Sequence, residues 1–378
     1  MIISRTPFRV SFFGGGTDYP VWYREHGGAV LATTIDKYCY ITCRYLPPFF
    51  DHKSRIVYSK VECPTDNKQI EHPAVRGTLD YMGITDGVEI HYDGDLPART
   101  GLGSSSSFTI GLLHALYALK RTMPDKRRLA MDAIRIEQQL LKENVGSQDQ
   151  ISAAFGGLNR VDFDPDGSFR LSPIILSTAR RQALQDHLML FFTGFSRTAS
   201  SIAEAQIRNT PNKQQELLRL RGMVDQAVAL LLGSEPLSAF GRLLDDAWRI
   251  KRGLTEYIST PEIDEIYDAA RRAGAIGGKL LGAGGGGFML FIVRPEDQPR
   301  LKKALRHLLH VPFHLESQGS QIIFYEPQTI YEPPERRYGR RRTDGVAPPM
   351  SRRGFAGAAV KPRARRASGG VPARASAT

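Results

Sequence analysis

The chain has 378 residues, 41% of them hydrophobic, and a formal charge of +12. That length allows two domains with substantial cores. No uninterrupted apolar run approaches membrane-span length, and Met1-Ile-Ile-Ser-Arg-Thr-Pro7 lacks the charged head and apolar stretch of a signal peptide. Cys39, Cys43 and Cys63 supply neither a disulfide framework nor metal-ligand spacing, which fits a reducing cytoplasm. The charge is concentrated: residues 331–378 hold 12 Lys or Arg against 3 Asp or Glu, so +9 lies in the tail and only +3 in the preceding 330 residues. A near-neutral body suits a small-molecule enzyme. A nucleic-acid reading would rest on the tail alone, without aromatic interleaving or a recognisable module.

Residues 2–13 alternate and predict a strand. It runs into Gly14-Gly-Gly-Thr-Asp18, where three glycines mark a turn that something approaches closely, with Asp18 as a cap or a ligand. Pro20 opens a short helix over 21–25. Tyr38–Tyr45 alternates and is rich in β-formers, with Cys39 and Cys43 on one face as core thiols. Residues 55–60 predict another strand. Before it, His52-Lys53-Ser54-Arg55 is a loop that could hold an anion or simply be solvated. Residues 72–82 predict a helix.

The chain is organised around its next stretch. A strand, Val88–Tyr92, leads through Asp93-Gly-Asp-Leu-Pro-Ala-Arg-Thr-Gly-Leu-Gly-Ser-Ser-Ser-Ser107 to a helix with Phe108, Leu112, Leu116 and Leu119 at helical spacing. Gly101 and Gly103 allow a tight turn, and free N–H groups at the helix start favour an anion, most naturally a phosphate. No Lys stands in the loop, so this is not a Walker A element, and Gly-x-Ser-x-Gly is absent. A second helix is expected over 126–143, with Glu137 near its middle. Asn144-Val-Gly-Ser-Gln-Asp-Gln150 comes after it and carries Asp149, 12 residues after Glu137. A strand from Leu188 exits at Arg197, placed either to pair with a phosphate or on the surface. Helices are expected over 212–234, 236–257, 261–273 and 298–309, and strands over 288–293 and 321–325. Gly282-Ala-Gly-Gly-Gly-Gly287 formally matches a dinucleotide fingerprint, but here glycines precede a strand instead of a helix. From about Pro327 the apolar pattern stops, and residues 331–378 cannot bury a core.

Three stretches resemble one family in order. Pro97-Ala-Arg-Thr-Gly-Leu-Gly-Ser-Ser105 resembles the central motif of the galactokinase, homoserine kinase, mevalonate kinase and phosphomevalonate kinase (GHMP) superfamily. Arg9, Gly14, Thr17, Asp18 and Tyr19 match its sugar-kinase form, and Lys279-Leu-Leu-Gly-Ala-Gly-Gly-Gly-Gly287 resembles its third motif. Phe12–Tyr19, Arg44–Ser59 and Gly146–Gln150 bring it nearest to the D-glycero-D-manno-heptose 7-phosphate kinase branch, which commonly has Lys where Ser147 stands. Galactokinases carry Glu-His at Gly15-Gly16.

The resemblance implies an α+β fold. An N-terminal GHMP domain (1–175) would have ribosomal protein S5 domain 2-like topology, a C-terminal domain (176–328) would be ferredoxin-like, and an Arg-rich tail (329–378) would be disordered. It also implies an ATP-dependent cytoplasmic kinase that phosphorylates the anomeric hydroxyl of a heptose 7-phosphate for nucleotide-activated heptose synthesis. A fucokinase-like or galactokinase-like sugar 1-kinase is the alternative. The partners would be ATP and a small sugar phosphate, with no membrane and at most weak nucleic-acid binding through the tail; the sequence carries no signal for an oligomeric state. By the same resemblance, ATP lies on Pro97, Gly101, Leu102, Gly103, Ser104, Ser105, Ser106, Gly284 and Gly285. Ser105 (or Ser104) and Glu137 hold Mg²⁺. Asp149 takes the acceptor proton or orients the hydroxyl, and Arg9 balances charge. Asp18, Thr17, Gly15, Gly16 and Arg197 contact the sugar phosphate, with Lys53 and Arg55 as further candidates for its phosphate.

Overall fold

The computed structural model describes residues 1–98, 100–194 and 199–326. Arg197 and the Arg-rich tail lie outside the described residues. In chain order, β1 is Ile2–Phe13, α1 Pro20–His26, β2 Gly28–Tyr45, β3 Arg55–Val57, β4 Val61–Glu62, α2 Pro73–Tyr81 and β5 Val88–Gly94. Next come α3 Ser104–Leu119, α4 Lys126–Arg135, α5 Gln148–Phe155, β6 Asn159–Phe163, β7 Phe169–Pro173, α6 Thr178–His187, β8 Leu188–Phe192 and α7 Ala199–Asn209. The rest is α8 Gln214–Leu232, α9 Leu237–Arg252, α10 Pro261–Arg272, β9 Ala275–Leu280, β10 Phe288–Val293, α11 Gln298–Ala304, β11 Leu309–His310, β12 Leu315–Glu316 and β13 Gln321–Tyr325.

Two sheets carry the fold. The larger runs β13-β1-β2-β5-β3-β4, with β12 and β6 also on β2 and β7 on β6. The smaller is antiparallel, in the order β11-β8-β10-β9. Helix α3 packs on β1 and β2 and touches α4 and α5. Fifteen of its 16 residues are buried, so it is the core of the first half instead of an amphipathic surface helix. In the second half, α9 packs on β9 and β10, and α8 bridges α9 to β1 and β2. The last strands, β12 and β13, return to the first sheet. No described helix is long and apolar enough to cross a membrane.

Three differences from the sequence reading have physical causes. Strand β2 begins at Gly28, ten residues before the alternation at Tyr38, because Gly28–Ile35 is buried without interruption and shows no period of two. The helix expected over 126–143 stops early. Ile136–Leu140 is a π-helical turn, in which Leu141 N donates to Ile136 O at 2.9 Å, and Lys142 has φ 54°. The wider turn buries both Ile136 and Glu137, so Glu137 is not a solvated charge. The glycine-rich segment has a strand on both sides. Gly277 and Gly278 lie inside β9, where a Cβ on Gly277 would stand 1.9 Å from Gly241 O of α9. Helix α11 ends at Ala304, short of 309, and β3 covers only Arg55–Val57.

Candidate active site

The loop between β5 and α3 closes on itself and on the second half of the chain. Gly101 has φ 88°, and a Cβ there would meet Leu281 O at 2.3 Å. Gly103, the residue before α3, has φ 73°, with Arg9 and Asp149 in van der Waals reach of where a Cβ would stand. Both positions need glycine. The first intrahelical bond is Ser107 N to Gly103 O, 2.9 Å, so the amides of Ser105 and Ser106 have no intrahelical acceptor. The three serines line a cavity of about 350 Å³ together with Arg9, Asp18, Gly15, Gly16, Gln148 and Asp149. An anion entering it meets the positive end of α3.

Arg9 and Asp149 are joined by a two-pronged ion pair. Arg9 Nε donates to Asp149 Oδ1 and Nη2 to Oδ2, both at 2.7 Å, while Nη1 donates to Gly101 O at 2.6 Å. The fork fixes the Asp149 carboxylate against the phosphate loop. Asp18 is buried beside it, accepting from Gly16 N at 2.9 Å and Gln148 Nε2 at 3.0 Å. Burial pushes the Asp18 carboxyl up; the Gly16 amide opposes this and nearby Asp149 adds to it. Gly146 is tight against this pair, since a Cβ there would stand 1.9 Å from Asp18 Oδ2.

Glu137 lies behind the serines and is fully buried. Its Oε2 accepts from Ser106 Oγ at 2.8 Å and from Gln150 Nε2, while Oε1 is buried without a hydrogen-bond partner. Burial pushes this carboxyl up to about 7. The hydroxyl hydrogen-bonded to it is that of Ser106; Ser105, expected beside it, is exposed at the mouth of the loop.

Other expected residues take different roles. Thr17 is fully buried and its hydroxyl bonds Gly14 O at 2.8 Å and Ala29 O at 2.9 Å, clasping the glycine turn without facing the cavity. Leu102 is buried and uses its carbonyl on Arg9 N, 3.0 Å; Pro97 is exposed and its carbonyl accepts from Thr100 Oγ1 at 2.7 Å. Gly285 N is spent on Ile258 O at 3.0 Å and a Cβ on Gly284 would meet Ile258 at 2.6 Å, so Gly282 and Ala283 line the cavity instead of Gly284 and Gly285. Arg55 is paired with Glu89 at 3.0 Å, and Lys53 lines a separate cavity with Asp66 and Asp80. Ser147 is buried, bonding Gln138 Nε2 at 3.0 Å and Tyr23 OH at 3.3 Å.

Besides Gln148, Ala203 and the 143–145 stretch, three cavity residues escaped the sequence reading. Lys251 at the end of α9 is buried and lines the cavity, as does Gln206 of α7. Ser11 of β1 is the third. Gln206 Nε2, Ser11 Oγ and Gln148 Oε1 are buried without hydrogen-bond partners. Those are two side chains able to accept and two able to donate, the complement a polyhydroxylated ligand needs.

Family models match at both ends of this architecture: GHMP kinases N terminal domain over residues 70–157 and GHMP kinases C terminal over 228–310. The chain thus carries both the N-terminal and the C-terminal domain of the GHMP kinases. It is therefore an ATP-dependent kinase, and its mixed helix-and-sheet architecture is the GHMP kinase fold. A D-glycero-alpha-D-manno-heptose 7-phosphate kinase of Campylobacter jejuni is 28% identical over 316 residues, covering 81% of this chain and 93% of its own. A bifunctional fucokinase/GDP-fucose pyrophosphorylase of Arabidopsis thaliana is 24% identical over 78% of this chain and 30% of its own length. The solved structure of a D-glycero-D-manno-heptose 1-phosphate kinase from Bacteroides thetaiotaomicron superposes with a TM-score of 0.70 at 23% identity, covering 88% of this chain and all of that one.

GHMP kinases typically use Mg²⁺. The residues present fit one: the unpartnered Glu137 Oε1 is a buried anionic donor lacking a cation, and Ser106 joins it to the cavity wall. Among the described residues no three Asp, Glu, His or Cys side chains converge into a ready-made metal site. That suits an ion whose remaining ligands are phosphate oxygens and water.

Proposed function

We propose that this kinase transfers the γ-phosphoryl of ATP to the anomeric hydroxyl of D-glycero-D-manno-heptose 7-phosphate, giving the 1,7-bisphosphate that nucleotide-activated heptose synthesis consumes. The observation that carries the reading is the Arg9–Asp149 fork, whose two 2.7 Å bonds hold the carboxylate beside the serine-lined start of α3. The Campylobacter relative, matched over most of both chains, supports the substrate class.

The amides and hydroxyls of Ser104–Ser106 bind the nucleotide phosphates. Asp18, Gln148, Gln206 and Ser11 hold sugar hydroxyls, with Gln148 and Gln206 turning their unpartnered atoms into the cavity. Asp149 receives the acceptor proton as the anomeric oxygen attacks, and Arg9 keeps its carboxylate aimed. Glu137 and the Ser106 hydroxyl would hold Mg²⁺ with nucleotide oxygens, and the chemistry of that ion there is to neutralise the triphosphate. Gly282 packs on Gly101 and backs the phosphate loop. A cytoplasmic location fits both ATP use and three free thiols.

A fucose 1-kinase is the second reading, favoured by the Arabidopsis relative. An ATP-consumption screen over free and phosphorylated hexoses and heptoses separates them. Heptose 7-phosphate should exceed free heptose by roughly 10²-fold in kcat/KM, the worth of about two charge-assisted hydrogen bonds. The product should carry its new phosphate on C1. Equal rates on both heptoses, or a preference for fucose, would overturn the heptose 7-phosphate assignment.

A further inference from the structure

The glycine turn before Asp18 leaves room for something. A Cβ on Gly15 would stand 3.5 Å from Lys251 Nζ, and one on Gly16 would stand 2.6 Å from Gln206 Nε2. The space is therefore occupied by two polar head groups that reach in from α9 and α7.

We propose that Lys251 is a catalytic residue of the phosphoryl transfer: its ammonium neutralises the charge on the phosphoryl group as it passes from ATP to the acceptor oxygen. This rests on the kinase reading above and adds a residue to it.

Lys251 lines the same cavity as Asp18, Asp149 and the three loop serines. It is the second of two cations among the described lining residues, and the other, Arg9, has three donors committed to Asp149 and Gly101. The Lys251 ammonium donates to Gly282 O at 2.8 Å, so two of its three donors remain for a ligand. Gly282 is in turn packed on Gly101, where its Cβ would come 2.4 Å from the Gly101 Cα. The ammonium thus sits between the backing of the phosphate loop and the turn that holds Asp18. That is the space a phosphoryl group crosses when it moves from one to the other.

A purely structural lysine looks different in this same protein. Lys279 is also buried, but it spends its ammonium on Ser11 O at 2.8 Å and Phe12 O at 3.0 Å and does not line the cavity. Lys251 has been buried with donors to spare, which costs stability unless an anion arrives.

The chemistry balances without a proton from Lys251. The acceptor oxygen–γ-phosphorus bond forms while the γ-phosphorus–bridging oxygen bond breaks. The bridging oxygen keeps the electron pair on ADP, and the hydroxyl proton goes to Asp149. Lys251 stays protonated and acts through charge.

Burial lowers the Lys251 ammonium to about 8; Asp18 and Asp149 pull it up, while Arg9 pushes it further down. Lys279 is the remaining charged group facing it. A cation needed for turnover should then be lost on the alkaline side.

Steady-state and pH-profile kinetics with the acceptor found in the screen test this on Lys251→Met, Lys251→Arg and Gly15→Glu. Lys251→Met should lower kcat about 10²-fold while ADP affinity changes by less than about threefold. The wild-type kcat/KM should fall above pH ~8, and Lys251→Arg, always charged, should keep measurable activity and lose that alkaline limb. Gly15→Glu puts a carboxylate beside the ammonium, so it should slow turnover too and add little further loss to Lys251→Met. Lys251→Met with kcat within threefold of wild type, or an unshifted alkaline limb in Lys251→Arg, overturns the role of Lys251 and leaves the kinase reading standing. A folded wild type inert toward every sugar and sugar phosphate overturns both.

Discussion

Glu89 and Glu137 are both buried glutamates, and they live in opposite surroundings. Glu89, on β5, is held by Arg44 at 2.6 Å, Arg55 at 3.0 Å and His91 at 3.2 Å. Burial alone would raise its carboxyl, but Arg44, His91 and Arg55 outweigh that and hold it below the usual range. Glu137, in the π turn, has only neutral hydroxyl and amide groups beside it, Thr109, Ser106 and Gln150, with no cation on either oxygen, and it is pushed up to about 7. The first is a closed ion-pair cluster that fastens β5 to its neighbours. The second is a charge kept without its partner, which proteins retain where a ligand supplies one. In this chain saturation separates structural charge from functional charge better than burial does.

The carboxylate proposed as catalytic, Asp149, gives the largest test of that distinction. Asp149→Asn should cost about 10²–10⁴ in kcat and leave ATP affinity within a few-fold, measured by steady-state kinetics and calorimetric binding. Unchanged turnover would remove Asp149 from the chemistry. Next in size is the pH dependence of stability. A carboxyl raised in the folded state contributes stability that is complete below its ordinary value of 4.5 and is lost as pH rises through about 7. In metal-free buffer Glu137 should therefore cost on the order of 3 kcal/mol between pH 4.5 and 8. Denaturant titrations of wild type and Glu137→Gln over that range should differ by this slope, and parallel curves would contradict it. Glu89 runs the other way: its contribution is present above its ordinary value and fades as the medium acidifies. Because its partners are partly exposed, Glu89→Gln should cost only about 1 kcal/mol, with kcat/KM within twofold of wild type. A tenfold loss of activity there would break the comparison.

What the sequence made legible is what it writes contiguously. Strand β1 alternates, the loop before α3 carries its glycines and serines in one run, and Arg9, Asp18, Glu137 and Asp149 stand in motifs of fixed spacing. The opposite wall of the cavity is written one residue at a time. Lys251 occupies the apolar phase of α9, in register with Leu244, Ala247 and Trp248. A lysine on the buried stripe of an amphipathic helix is a readable signal, but which cavity it faces depends on how α9 packs on β9. Gln206 gave no such signal. The π turn was hidden because a one-residue widening barely disturbs hydrophobic spacing, although it decides where Glu137 points. Thr17 was misassigned because a motif records that a residue type is required, and cannot say whether its hydroxyl serves the ligand or the backbone.

Thermal unfolding of the ADP complex with and without Mg²⁺ asks most directly whether Glu137 is buried for the cation that the nucleotide brings. Adding Mg²⁺ should raise the wild-type Tm by several degrees (about 4–8 °C) at pH 8 and by clearly less at pH 5.5, where a proton holds the carboxylate. Glu137→Gln should show about 1 °C or less at both values. A Mg²⁺ shift in Glu137→Gln equal to that of wild type at pH 8 would contradict this and make Glu137 as structural as Glu89.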